Sequence, residues 1–221
     1  WTVFHDAVLA DLVQSAYQQN LTLREAGFRV LEARAQLGVV AGQRFPQTQI
    51  AAGDYGAKGV SVNVANREFT PERWYGQWDF GFNLAWELDF WGRFRRAIEA
   101  SEATLDASVE QYDEVLVTLL GDVAANYVQY RTSEARIAYA QANVRVQEKI
   151  LEMATARFKG GQTSELDVHQ AQSNLSATQA LIPQLRIQLR EANNRLCILL
   201  GAPPEDLQSR LGGGAIPKPP T

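Results

Sequence analysis

The spacing of apolar positions along the chain changes period at Trp91. From Trp74 to Phe90 every even position is apolar or glycine (Trp74, Gly76, Trp78, Phe80, Phe82, Leu84, Trp86, Leu88, Phe90), and the odd positions are Tyr75, Gln77, Asp79, Gly81, Asn83, Ala85, Glu87 and Asp89. Successive side chains of a strand point to opposite faces, so this alternation predicts one strand with an aromatic face and a polar face. Past Trp91-Gly92, residues Val109, Leu116, Val123, Tyr130, Ile137, Val144, Leu151 and Phe158 recur every seventh position, with Ile98, Leu105, Tyr112 and Leu119 as a second seam. A heptad sustained this long predicts a coiled-coil helix from Gly92 to Lys159, about 100 Å long at ~1.5 Å per residue. An aromatic strand feeding such a helix points to a barrel wall that continues as a helical tube.

The flanking segments add a helix before and after. Phe4, Val8, Leu12 and Ala16 share one face of a short amphipathic helix over Thr2–Gln19, a turn falls near Asn20, and the pairs Leu23/Ala26, Val30/Ala33 and Leu37/Val40 predict a second helix over Leu21–Gly42 with small residues in its seam. Pro46 stops it. Gln47–Val64 loses the helical period, gains Gly53, Gly56 and Gly59, and ends in alternating Val60, Val62 and Val64, which reads as a first strand; the polar stretch from Asn66 to Arg73, with Pro71, is the loop to the second. Gly160-Gly161 breaks the long helix, Thr163 or Ser164 caps a fourth, and Val168, Leu175, Ile182, Leu189 and Leu196 with Ala171, Thr178, Leu185, Ala192 and Leu199 give it two seams. The third and fourth helices are therefore expected as an antiparallel hairpin. Pro183 removes one backbone hydrogen bond inside the fourth and is expected to bend it, Gly201 and Pro203-Pro204 end it, and Gly212–Thr221 has the composition of a flexible linker.

The fold class expected is mainly α with a β-hairpin. Its segments are N-terminal helices over 1–45, the hairpin over 46–90, a long helical hairpin over 91–201 and a linker over 202–221. Composition narrows the function. With 46% hydrophobic and 21% charged residues the 221-residue chain is expected to fold. A net charge of −4 without a basic cluster argues against nucleic acid as a partner. The single cysteine, Cys197, lies among Leu196, Ile198 and Leu199 and reads as a buried inert thiol, so no intramolecular disulfide forms. No apolar run is long enough for a transmembrane helix, a criterion to which an alternating barrel strand is blind. No signal peptide stands at Trp1, so a secreted precursor is expected to be trimmed before this point. His5 and His169 share no motif with further ligands, and neither a metal site nor a cofactor is assigned. No nucleophile elbow, phosphate loop or acid/base pair is present, so no catalytic residue is assigned and the chain is not read as an enzyme.

Three stretches resemble the outer-membrane factor family of Gram-negative efflux and secretion channels, the TolC and OprM type. They are Trp86-Glu-Leu-Asp-Phe-Trp-Gly-Arg93, Arg157-Phe-Lys-Gly-Gly-Gln-Thr-Ser-Glu-Leu-Asp-Val-His-Gln-Ala-Gln172 and Asn194-Arg-Leu-Cys-Ile-Leu-Leu-Gly-Ala-Pro-Pro204, in that order over nearly the whole chain. The resemblance implies one of two helix-strand-strand-helix repeats, here the first. It also implies a homotrimer whose protomers each give four strands to a twelve-stranded outer-membrane barrel and their helices to a periplasmic tube. The partners implied are a periplasmic adaptor, an inner-membrane pump and outer-membrane lipid, and many members carry an N-terminal lipidated cysteine, which this chain lacks. The function implied is a passive exit duct whose cargo is chosen by the pump.

On that reading the even face (Trp74, Trp78, Phe80, Phe82, Trp86) meets lipid and the odd face (Gln77, Asp79, Asn83, Glu87) lines the lumen; a soluble sandwich strand with one buried face is the alternative. Trp74, Trp86 and Trp91 suit interfacial depths. Arg93, Arg95 and Arg96 suit lipid headgroups, and a solvated first helical turn accounts for them equally well. The resemblance makes Arg157, Gly160 and Gly161 the tip that meets the adaptor, and places Asp167, with Glu165, where the tube narrows, a negative ring favouring cations. Ordinary helix-start chemistry explains the same two carboxylates without a pore. The rival to a channel is a soluble coiled-coil scaffold whose hairpin is an interaction module.

Overall fold

The computed structural model describes residues 4, 6–63, 65 and 72–217. Its element order is α1 (Ala7–Gln19), α2 (Leu21–Gly42), β1 (Thr48–Gly59), β2 (Trp74–Ala85), α3 (Arg93–Lys159), α4 (Glu165–Leu199) and a one-turn α5 (Gln208–Leu211). The protein is mainly helical with a two-stranded antiparallel sheet. It divides into two compact units, one of Trp1–Phe28 and Glu110–Thr221, the other of Arg29–Val109.

The first unit holds the core. Leu9, Leu12, Val13 and Ala16 of α1 are buried with Leu119, Val123, Tyr127 and Tyr130 of α3, Ala192, Leu196 and Cys197 of α4, and Leu207 and Leu211 around α5. Helix α1 starts later than its apolar face predicts, because Asp6 terminates it: Asp6 Oδ1 accepts from the N–H groups of Val8 (2.9 Å) and Leu9 (3.1 Å), satisfying two of the donors that a helix leaves free at its start. Residues 2, 3 and 5 of the expected helix lie outside the described residues. Asn20 makes the turn to α2. Its Oδ1 accepts from the Leu23 N–H at 2.8 Å, and its Nδ2 donates to the Leu199 carbonyl at 2.9 Å, so one buried amide starts α2 and closes the end of α4. Gly201 has φ +68°, and a Cβ there would run into the Gln19 carbonyl, which leaves glycine as the residue that fits.

The stretch after Gly201, expected as a linker, is packed as far as it is described. Asn193 holds it to α4, Nδ2 donating to the Glu205 carbonyl (2.5 Å) and Oδ1 accepting from the Leu207 N–H (3.0 Å). Arg131, only 2% exposed, then clamps it to α3, donating to the carbonyls of Leu211 (2.6 Å) and Gly212 (2.7 Å), to Tyr127 Oη (3.1 Å) and to Glu134 (2.9 Å). Burial opposes the charge of Arg131, but its bonds to Tyr127 and Glu134 outweigh it and raise the pKa. The glycine- and proline-rich composition that suggests flexibility begins only at Gly212, after Leu207 and Leu211, which are buried. Residues 218–221 lie outside the description.

In the second unit, β1 and β2 pair from Thr48↔Ala85 to Gly59↔Trp74. The strand expected to reach Phe90 ends at Ala85, and β1 ends at Gly59 rather than Val64; Val60 and Val62 are outside it, and Val64 is not described. The physical reason at Ala85 is the loss of a partner: Pro46 has no N–H for a ladder. The Gln47 side chain instead ties the Glu87 backbone, its Oε1 accepting from the Glu87 N–H at 2.8 Å. Pro183 lies inside α4, which runs on at both sides of it.

Candidate functional site

The strand pair and the α3–α4 turn carry the residues of interest, and each is built by local chemistry. On β2 most even residues stand opposite small residues of β1: Trp74 faces Gly59, Gly76 faces Ala57, Phe80 faces Gly53 and Phe82 faces Ala51, while Trp78 faces Tyr55. Aromatic rings fill the room that glycine and alanine leave. The Tyr55 and Trp78 ring centroids are 4.5 Å apart, and a Cβ on Gly76 would lie 2.7 Å from Tyr55 Oη. Both faces of the pair are exposed; on the aromatic one Trp78 is 80% and Phe80 84% exposed, with Trp74, Phe82 and Leu84 exposed beside them. On the other face Gln77, Asp79 and Asn83 stand opposite Gly56, Asp54 and Ile50. Gln77 Nε2 donates to Asp79 Oδ1 at 3.0 Å.

Trp86 and Glu87 lie beyond the strand, in the irregular segment 86–92, so the alternation does not assign them a face. The Trp86 indole N–H donates to the Arg44 carbonyl (3.2 Å) and Glu87 pairs with Arg93 (3.0 Å). Asp89, to which the sequence reading gave no role, organises this junction. Its Oδ1 accepts from the Phe94 N–H (3.2 Å) and its Oδ2 from the Arg95 N–H (2.9 Å), closing the start of α3, while Gly92 at φ +79° makes the corner. Partial burial pushes the Asp89 pKa up, but the two backbone donors and the Arg95 guanidinium, 3.4 Å away, outweigh it and leave the carboxyl below its ordinary value. An aspartate followed three residues later by glycine, just ahead of a heptad run, was the available signal.

At the other turn, α3 ends in a Schellman motif. Gly161, at φ +70°, donates its N–H to Phe158 O (2.9 Å), and Gln162 donates to Arg157 O (2.9 Å). Arg157 and Gln162 are thus the two ends of one helix cap, with Gly160 and Gly161 between them. Ser164 then caps α4. Asp167 Oδ2 accepts from the Ser164 N–H and Ser164 Oγ, both at 3.3 Å, and from Thr163 Oγ1. The Thr163 hydroxyl and the Ser164 N–H hold the Asp167 carboxyl below its usual range. Oδ1 takes no donor among the described residues. Glu165 Oε1 lies 3.6 Å from His169 Nε2, both exposed. Among the described residues no group of three or more His, Cys, Asp or Glu is placed to hold a metal, and His5 lies outside the description. No described helix is long and apolar enough to cross a membrane.

The strand pair thus carries an exposed aromatic face, and a capped junction leads from it into the 67-residue α3. The chain belongs to the outer membrane efflux protein family, whose profile matches residues 12–202. It is 27% identical over 215 residues to nodulation protein T of Rhizobium leguminosarum bv. trifolii, covering 97% of this chain and 45% of that protein. It is 30% identical over 223 residues to the solvent efflux pump outer membrane protein SrpC of Pseudomonas putida, covering 98% of this chain and 46% of the other. Among solved structures it is similar to the outer-membrane channel OprN, with 33% identity and a TM-score of 0.82 over 99% of this chain and 48% of that one. The chain spans somewhat less than half the length of the curated relatives it matches.

Proposed function

We propose that this chain is the first half of an outer-membrane channel, a passive exit duct in a tripartite efflux or secretion system. The observation that carries it is the aromatic face of β2, too large and too exposed for a surface meant for water, on a chain of this family. An isolated two-stranded sheet is marginal, and closing such sheets into a barrel pairs their edges while lipid covers the apolar side. Three copies of the full-length protein form the trimer. The hairpin of residues 46–90 contributes to the barrel, residues 1–45 and 91–201 to the periplasmic tube, and 202–221 lead toward the second repeat. Trp74, Trp78, Phe80 and Phe82 meet lipid, and Gln77, Asp79 and Asn83 line the water-filled side; Trp86 and Glu87, beyond the strand, brace the junction instead. The protein resides in the outer membrane and periplasm of a Gram-negative bacterium, receives cargo from an inner-membrane pump through an adaptor at Arg157, Gly160 and Gly161, and performs no catalysis. The same aromatic exposure and the family membership disfavour a water-soluble scaffold.

Asp167, with Glu165, forms a negative ring at the narrow end of the tube. Its lowered pKa keeps it charged, and its free Oδ1 supports this role alongside the cap. The test is reconstitution of the full-length protein in a planar bilayer with its mass measured alongside. Discrete conductance from a trimer is expected, and a folded protein that never conducts would end the reading. Asp167→Asn is expected to raise closed-state current or weaken cation preference; unchanged single-channel records would count against the ring alone.

A further inference from the structure

Helices α3 and α4, Asp206 and the start of α5 line a cavity of about 220 Å³ within the helical unit. None of its lining residues belongs to the strand pair, the junction 86–92 or the α3–α4 turn. Tyr130 is 3% exposed, yet its hydroxyl makes no hydrogen bond among the described residues. No fully enclosed side-chain nitrogen or oxygen among them lacks a partner, so the Tyr130 oxygen reaches the cavity that the residue lines. Burial, and after it the carboxylates of Glu134 and Asp206, raise its pKa against the pull of Arg131, so the hydroxyl keeps its proton and can donate.

Two guanidiniums share this cavity without a counter-charge. Arg186 and Arg190 lie one turn apart on one face of α4, and neither forms an ion pair among the described residues. Three and four positions away from them the helix carries Ile182, Pro183, Ile187, Leu189, Asn193 and Asn194, and no carboxylate. The acids of the cavity are already engaged: Glu134 pairs with Arg131 at 2.9 Å, and Asp206 Oδ1 accepts from the Gln208 N–H at 2.9 Å. Like charges one turn apart repel, and an anion between them replaces that repulsion with charge-assisted hydrogen bonds. With the Arg131–Glu134 pair set aside, Arg186, Arg190 and Asp206 leave one positive charge in excess. That balance fits a singly charged anion, and the Asp206 carboxylate opposes a second negative charge such as phosphate carries. Leu189, half-buried, adds an apolar surface.

We propose that this cavity binds a small aliphatic monocarboxylate, its carboxyl oxygens bonded by Arg186, Arg190 and the Tyr130 hydroxyl and its carbon chain against Leu189. Bound there, the acid bridges α3, α4 and the stretch that Asn193 and Arg131 hold in place, and so stabilises their packing. The test uses the full-length protein in detergent at constant ionic strength and slightly alkaline pH, with butyrate as the probe and inorganic phosphate as competitor. Saturation transfer from protein to the butyrate methyl is followed by NMR, alongside the thermal midpoint. The expected result is a saturable signal that phosphate displaces only at about ten-fold higher concentration than unlabelled acetate does. The double variant Arg186→Gln/Arg190→Gln is expected to weaken butyrate about ten-fold and Tyr130→Phe about five-fold, while both melt like the parent without ligand. An unsaturable signal, butyrate binding unchanged in the double variant, or phosphate competing as well as acetate would each overturn the proposal. A lowered midpoint of ligand-free Tyr130→Phe would overturn it as well, since the hydroxyl would then have a partner within the protein.

Discussion

The two units use apolar side chains in opposite ways. In the helical unit Leu9, Leu12, Val123, Leu196 and Cys197 are buried by their neighbours, and every polar group drawn in with them is answered: Asn20, Arg131 and Asn193 each bond to backbone or side-chain partners. In the hairpin unit Trp74, Phe80 and Phe82 cover only the small residues opposite, Trp78 packs on Tyr55, and all four are otherwise exposed. The first arrangement is stable on its own contacts. The second is complete only when something apolar arrives from outside. The same strong apolar signal in a sequence therefore marks a core in one place and an exposed aromatic face in another, and the companion residues tell them apart: helical heptads facing other heptads against aromatics facing mostly glycine and alanine.

Breaking the helical side has the largest expected effect. Arg131→Met leaves the carbonyls of Leu211 and Gly212 and the Glu134 carboxylate without their donor, and is expected to cost about 4 kcal/mol, read as a lowered thermal midpoint of the full-length protein in detergent. Leu12→Ala opens a void in the same core and is expected to cost about 3 kcal/mol in the same assay. Phe80→Ser sharpens the contrast: it should leave helical unfolding within ~0.5 kcal/mol of the parent while reducing membrane insertion, measured by vesicle flotation. Equal losses from Phe80→Ser and Leu12→Ala in the melting assay would erase the distinction between the two units. The smallest effect is that of pH. Asp89 and Asp167 have pKa values depressed in the folded state, so their stabilisation is present above the ordinary aspartate pKa and is lost as pH falls through ~4 and below. Protection factors at Phe94, Arg95 and Ser164, taken relative to the intrinsic exchange rate at each pH, should fall on acidification, and Asp89→Asn or Asp167→Asn should remove that pH dependence at its own cap.

Much of the architecture was legible because periods of two and seven are long-range signals in this chain. Helices α2, α3 and α4 follow their heptads, and Gly161, Ser164 and Gly201 sit where caps demand them. The errors fall where a single polar group overrides the period. Alternation carried the strand to Phe90, but a strand needs a partner, and Pro46 and Gln47 end the ladder at Ala85. The segment 202–221 was expected as a linker, and its first part is packed: Arg131 and Asn193, ordinary polar residues in heptad helices, hold Glu205–Gly212 to the core. Their role depends on partners some 80 and 12 residues away, which spacing within one helix does not reveal. At the α3–α4 turn the residues were foreseeable as punctuation, and the geometry adds that Asp167 serves its own helix with one oxygen and leaves the other free.

Side-chain ties at the foot of the strand pair set its alignment before any neighbour is present. Gln47 Oε1 accepts from the Glu87 N–H and the Trp86 indole donates to the Arg44 carbonyl, so sliding β1 by two residues, which keeps every side chain on its own side, breaks both bonds. The hairpin can therefore reach its site of assembly already keyed, so that joining with other hairpins has only outer edges left to choose.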